Sequence, residues 1–157
     1  MSAAIALKGV SKSFGSTLAV SNLDLTIPVG SLCGFLGPNG AGKSTTIRMI
    51  MSIIYGNAGT VQVLETTALA AKDRIGYLPE ERGVYRKMKV CAFIEYIGKL
   101  KGMRGSLLKT KVHDWLERRE LPDINNKRCE ELSKGMQQKV QFLAAIIHDP
   151  ELIILDE

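Results

Sequence analysis

Apolar and polar residues alternate along residues 5–14 and 18–27, most cleanly in the second stretch, where Leu23, Leu25 and Ile27 fall on one face and Asp24 and Thr26 on the other. A period of two belongs to a strand with one face buried and one in water, and the short turn at Gly15-Ser16 predicts an antiparallel ribbon. Pro28-Val29-Gly30 then turns the chain into Ser31-Leu32-Cys33-Gly34-Phe35-Leu36, a short apolar run of buried-strand type. Residues 45–51 have helical character, and this helix is expected to end near Tyr55-Gly56-Asn57, where glycine and asparagine suit a left-handed cap. Short strands are predicted at 60–64 and at 74–78, the latter stopped by Pro79.

From residue 82 to residue 147 the apolar spacing becomes helical. Residues 90–100 and 107–117 form two predicted helices separated by Lys101-Gly102-Met103-Arg104-Gly105. A third runs from about Ser133 to Ile147, with Met136, Val140, Leu143, Ala144 and Ile147 on one side and His148-Asp149-Pro150 at its end. The run Leu152-Ile153-Ile154-Leu155 then leads into Asp156 and Glu157. Four consecutive apolar residues suit a buried parallel strand, and its carboxyl end is where ligands of open α/β sheets bind. The fold class is therefore α/β.

Length and composition bound this picture. A chain of 157 residues is long enough for one domain with a core and too short for two of ordinary size. With 45% apolar and 24% charged residues, disorder is excluded as its main state. The longest apolar run, residues 142–147, is far short of a membrane span, and the N-terminus lacks the basic-then-apolar pattern of a signal peptide, so a cytosolic protein is expected. Cys33, Cys91 and Cys129 have no metal-binding spacing and read as reduced thiols. The net charge of +5 is concentrated between Glu80 and Arg119, where eleven Lys or Arg stand against five Asp or Glu. Such a stretch could face anionic lipid or nucleic acid, but a solvated helical face explains it more simply.

The densest chemistry lies in Gly37-Pro38-Asn39-Gly40-Ala41-Gly42-Lys43-Ser44-Thr45, which matches G-x-x-x-x-G-K-[ST] at Gly37, Gly42, Lys43 and Ser44. The glycines leave no side chain between backbone amides and a ligand, so several N–H groups can point at one phosphate. A helix starting near Lys43 adds the positive end of its dipole. Lys43 would reach the β- and γ-phosphates of a nucleoside triphosphate, and Ser44 would complete a Mg²⁺ site. The plain alternative is a glycine-rich strand-to-helix turn without a ligand. Phe14, just before the first turn, could stack on a base or simply be core. Asp156 could hold Mg²⁺ and Glu157 could polarise an attacking water, although two acids are also a common way to enter a loop.

Taken together, these residues resemble the nucleotide-binding domain of an ATP-binding-cassette (ABC) transporter, in register from Val10 to Glu157. Ser13-Phe14-Gly15 resembles the adenine-stacking loop, residues 37–45 the Walker A motif, and Gly76-Tyr77-Leu78-Pro79-Glu80-Glu81-Arg82 the Q-loop region. Leu132-Ser133-Lys134-Gly135-Met136-Gln137-Gln138 resembles the signature, and residues 153–157 Walker B. The resemblance implies a P-loop NTPase core with an antiparallel ribbon (1–82 plus 148–157) and a helical subdomain (83–147), incomplete at the C-terminus. It implies ATP and Mg²⁺ as cofactors, with Ser44, Asp156 and Glu80 at the metal and Glu157, Lys43 and Glu80 in catalysis. Ser133 and Gly135 would cap the γ-phosphate held by a second ABC domain. The expected partners are that domain and a transmembrane permease, with no nucleic acid, at the cytoplasmic face of the plasma membrane.

Two departures stand out. The signature reads LSKGM where the commonest form is LSGGQ, and Glu80 stands where a glutamine would touch Mg²⁺ and water. Lys134 opposes the helix dipole yet adds a cation where a triphosphate would arrive. With the YLPEERG string, these changes resemble exporters of the sodium or drug extrusion kind that have separate membrane subunits. A soluble, non-transport ABC ATPase is the alternative. Neither His113 nor His148 can be the family's switch histidine, since both precede Asp156, and both read as surface or helix-end residues. The segments that follow Walker B in the family have no counterpart here, so a truncated chain that binds ATP weakly and turns over little is expected.

Overall fold

The computed structural model describes residues 2–80, 83–119 and 121–156, with only the backbone of Pro122. The chain falls into two compact units, Met1–Lys72 and Asp73–Glu157.

In the first unit β1 (Ala3–Phe14) pairs antiparallel with β2 (Thr17–Pro28) on one side and with β3 (Ala58–Val63) on the other. The predicted alternation sets the register: Ile5 lies opposite Ile27 and Val63, and Leu7 opposite Leu25 and Val61. Ile5, Leu7, Val10, Val20, Ile27 and Val63 are buried, while Asp24 and Thr26 face water. Helix α1 (Lys43–Ile50) packs on β2 and β3 and buries Ile47, Met49 and Ile50.

Two expectations fail in this unit. Residues 31–36 form no strand: none of the described strands pairs with them, and Leu32 and Leu36 are 103% and 95% exposed. An apolar run becomes a strand only where a neighbour accepts its ladder hydrogen bonds. The first helix also ends five residues early, at Ile50, because Ser52 takes the left-handed conformation (φ 55°). Ser52 N–H donates to the Met49 carbonyl (3.0 Å) and Ile53 N–H to the Arg48 carbonyl (2.9 Å), the two bonds of a Schellman close. Gly56 and Asn57 are used differently: the Asn57 N–H donates to the Ser11 carbonyl (2.8 Å), and a Cβ on Gly56 would stand 3.2 Å from that same oxygen.

In the second unit β4 (Ile75–Leu78) runs parallel to β5 (Leu152–Leu155), with Leu78 beside Leu155. Helix α2 (Val90–Leu100) packs against α3 (Gly105–Arg118) and α4 (Lys134–Ile146), and α4 also packs on β4. All three helices lie close to their expected bounds. Their apolar stripes meet in one core that includes Phe93, Ile94, Leu108, Leu116, Leu143 and Ile147. Cys129 lies in this core, where burial pushes its thiol pKa up and keeps it protonated. The segment before α4 is tied back by the Cys129 N–H, which donates to the Met88 carbonyl (2.9 Å), and by the Val90 N–H, which donates to the Lys127 carbonyl (3.0 Å). This grouping places 73–82 and 148–157 with the helices, whereas the functional division read from the sequence places them with the phosphate loop.

Candidate functional site

In the first unit the glycine-rich turn delivers residues 37–45 to the start of α1. Gly42 is the residue before the helix, with φ +84°, and a Cβ there would stand 2.5 Å from the Ala19 carbonyl oxygen on β2. Only glycine fits both the conformation and the space. Lys43, Ser44 and Thr45 follow as the first helical turn, where backbone N–H groups lie outside the i→i−4 ladder. No acidic residue lies in that turn, so its positive end is not neutralised locally. The Thr46 hydroxyl donates to the Gly42 carbonyl (2.8 Å) and fixes the entry angle. Pro38 and Ala41 close the bend through a 3.2 Å hydrogen bond from the Ala41 N–H to the Pro38 carbonyl, and Asn39 and Gly40 form its exposed tip.

The Lys43 ammonium folds back over the bend, donating to the carbonyls of Gly37 (2.7 Å) and Pro38 (2.8 Å). It is therefore held against the start of the loop. An ammonium, a row of amides and an unopposed helix dipole suit a polyanion. Ser44 contributes a hydroxyl oxygen, a donor type that suits a hard divalent cation.

Phe14 closes β1, the central strand, and is 52% exposed, so it is not core. The Lys12 ammonium lies 5.1 Å from its ring centroid. The motifs alone give no role to Lys12. Lys12 can be found from strand geometry, since residues two apart share a face.

In the second unit Asp156 follows β5 and is buried, with its N–H donating to the Leu78 carbonyl (2.9 Å) and its Oδ2 lying 3.5 Å from the Tyr77 hydroxyl. A buried carboxylate at the carboxyl end of a parallel pair suits a divalent cation. Glu80 is exposed just past Pro79. Glu157, Glu81 and Arg82 lie outside the described residues.

Ser133 precedes α4 in extended conformation, and its hydroxyl oxygen accepts from the Met136 N–H (3.3 Å), the geometry of an N-cap. Gly135 is exposed in the first turn, with open space where a Cβ would stand. The turn that carries Ser133 is braced by Gln137, whose Nε2 donates to the carbonyls of Cys129 (3.0 Å) and Leu132 (3.1 Å). Beside it a groove of about 700 Å³ is lined in part by Gly135, Gln138, Lys139, Arg118 and Arg119, with no carboxylate among the described residues of its lining. Lys134 adds another cation to this turn, which has no acid of its own.

His113 is exposed and pairs with Glu117 (3.4 Å), as expected of a surface residue. His148 stands at the end of α4 and is partly buried, its Nε2 3.2 Å from the Ile75 carbonyl. No described helix is long and apolar enough to cross a membrane.

The profile of the family described as ABC transporter matches residues 20–157. YhaQ of Bacillus subtilis, an ABC transporter ATP-binding protein, is 48% identical over 149 residues, covering 94% of this chain and 50% of its own length. NatA of the same organism, also an ABC transporter ATP-binding protein, is 40% identical over 144 residues, covering 88% of this chain and 58% of its own. Nod factor export ATP-binding protein I of Rhizobium sp. is 36% identical over 158 residues, covering 98% and 52%. The chain thus spans about half the length of the curated relatives it matches. A solved ATP-binding subunit of an ABC transporter superposes with a TM-score of 0.87 at 22% identity, over 98% of this chain and 65% of that one. The structure of cbiO1 from Clostridium perfringens, part of the complex cbiONQ, gives 0.84 at 18% identity, over 100% and 66%. At these identities the superpositions establish the P-loop NTPase fold.

Proposed function

The chain belongs to the ABC transporter ATP-binding family, and on that premise we propose that it is the nucleotide-binding part of a transporter subunit that binds and hydrolyses MgATP to drive export through a partner permease. The observation that carries this reading is the loop at residues 37–45, where Gly42 admits only glycine and the Lys43 ammonium is held on the loop's own Gly37 and Pro38 carbonyls at the start of α1. That arrangement suits a phosphate-bearing anion, because each component answers negative charge, and the family supports ATP as that anion.

The remaining roles follow residue by residue. Gly37, Pro38, Asn39, Gly40, Ala41, Gly42, Lys43, Ser44 and Thr45 bind the phosphates, and Phe14 takes the base. The oxygen donors of Ser44, Asp156 and Glu80 are the residues that would hold Mg²⁺, which when bound neutralises phosphate charge. Glu157 orients the attacking water. Ser133 and Gly135 present the α4 N-terminus to nucleotide on a second ABC domain, and the permease holds the assembly at the cytoplasmic face of the plasma membrane. The functional division is 1–82 plus 148–157 for nucleotide and 83–147 for the helical subdomain.

Titration calorimetry with ATP tests the reading directly. Replacing Lys43 with alanine removes the ammonium and leaves the loop glycines intact, so ATP affinity should fall about tenfold or more, as expected for a charge-assisted contact. Unchanged affinity in a folded K43A chain would remove the basis for the proposal.

A further inference from the structure

The end of β1 carries an arrangement that the phosphate chemistry does not use. Lys12 and Phe14 are two residues apart on a strand and so share a face. The Lys12 ammonium lies 5.1 Å from the centroid of the Phe14 ring, and it is anchored there by donating to the Tyr55 carbonyl at 2.8 Å. The intervening residue is also tied down, since the Ser13 N–H donates to Asn57 Oδ1 at 2.7 Å and the Asn57 N–H returns to the Ser11 carbonyl at 2.8 Å. The whole tip of β1 is thereby fastened to residues 55–57, which follow α1, the helix that begins in the phosphate loop. The Phe14 ring remains 52% exposed.

We propose that Lys12 is a positioning residue for the nucleotide base: its ammonium backs one face of the Phe14 ring and leaves the other face as the stacking surface. This rests on the reading that Phe14 takes the base. An aromatic ring is negative on its faces, so two rings stacked face to face repel unless they are offset. A cation on the far face draws that charge toward itself and makes the near face a better platform for an electron-rich purine. The same cation, pinned to a backbone carbonyl, removes ring rotamers that would otherwise be lost on binding. Both effects act on the base and neither on the phosphates.

The test compares ATP with inorganic tripolyphosphate, which has the charge and no base, in calorimetric titrations of the purified chain and its K12Q, K12M, K12R and F14A variants. Glutamine keeps a donor for the Tyr55 carbonyl without the charge, methionine keeps the stem alone, and arginine keeps both charge and donor. K12Q and K12M should each weaken ATP about three- to fivefold, the scale of one exposed cation–ring contact, and leave tripolyphosphate unchanged. K12R should restore ATP affinity. Wild-type ATP affinity in K12Q, or an equal loss of both ligands, overturns the role of Lys12. If F14A leaves the ratio of the two affinities unchanged, base stacking itself fails and takes this proposal with it. A lowered ratio in F14A beside wild-type behaviour in K12Q overturns the role of Lys12 alone. K12M and K12Q are independent readings of the same charge loss, so a folding defect in one leaves the other decisive.

Discussion

His148 shows how one side chain can set a pH dependence that the overall charge would not reveal. The Ile75 carbonyl can only accept, so the ring nitrogen facing it, Nε2, carries the proton, and Nδ1 is left buried without a partner among the described residues. Burial first, and the Lys101 ammonium second, hold the imidazole pKa below its ordinary value, while Ile75, Asp149 and Asp73 act in the opposite sense. Lys101 is near because it donates to the same Ile75 carbonyl, at 3.0 Å. The folded state therefore keeps His148 neutral where the unfolded chain would protonate it. The stability tied to that neutral ring is present above pH about 6.5, the unfolded value, and is lost as pH falls toward the folded pKa. Glu151, whose pKa its hydrogen bonds from Arg74 hold below the ordinary carboxylate value, titrates below this window. The thermal midpoint of the chain should thus drop between pH 7.5 and pH 5.5, and the drop should be smaller in H148Q, where an amide can donate to Ile75 but does not titrate. Equal drops in both proteins would rule out His148 as the source.

At the scale of the element, two glycines in the second unit have opposite reasons to be there. Gly76 on β4 faces α4 so closely that a Cβ would stand 2.5 Å from the Ala145 carbonyl oxygen and 3.0 Å from Pro150 Cγ. A backbone oxygen cannot move aside alone, so G76A should push α4 off the strand and cost about 1–3 kcal/mol. Gly135 has open space in the first turn of α4, and there alanine should raise stability by up to about 1 kcal/mol through helix propensity. Denaturant unfolding of the two variants checks both signs, and a neutral G76A would mean that the α4–β4 packing is looser than its geometry implies. The elements of this unit are legible in the amino-acid sequence because their signals are local: 3.6-residue spacing in α2, α3 and α4, the serine cap before α4, and Pro79 after β4. The end of α1 is not legible in that way. Its stop is made by Ser52 in a left-handed conformation that serine rarely adopts, while the expected Gly56-Asn57 cap is spent fastening β1.

Across the whole chain, the residues proposed to bind phosphate are readable because they are contiguous, and the first-turn and loop geometry of residues 37–45 follows from their order. The anchoring of Lys12 is harder to see, since it depends on the Tyr55 carbonyl, 43 residues away in the chain, whereas the Gln137 brace is local but depends on the short turn at residues 129–132 that brings the Cys129 and Leu132 carbonyls to its side chain. Residues 31–36 are the opposite case, a correct apolar signal without a pairing neighbour among the described residues, which leaves Leu32 and Leu36 almost wholly in water. Two leucines this exposed are expected to promote association of the chain. The net charge of +5 keeps molecules apart at low salt, and screening weakens this repulsion as the Debye length falls to about 10 Å at 0.1 M. Apolar association at residues 31–36 should then dominate, so light scattering from the chain should rise with added salt. The L32S/L36S double variant keeps the charge and removes the two exposed leucines, and it should scatter much less at the same salt and concentration. If the double variant scatters as strongly as the parent, association arises at another surface, and the exposed leucines at 32 and 36 do not govern solubility.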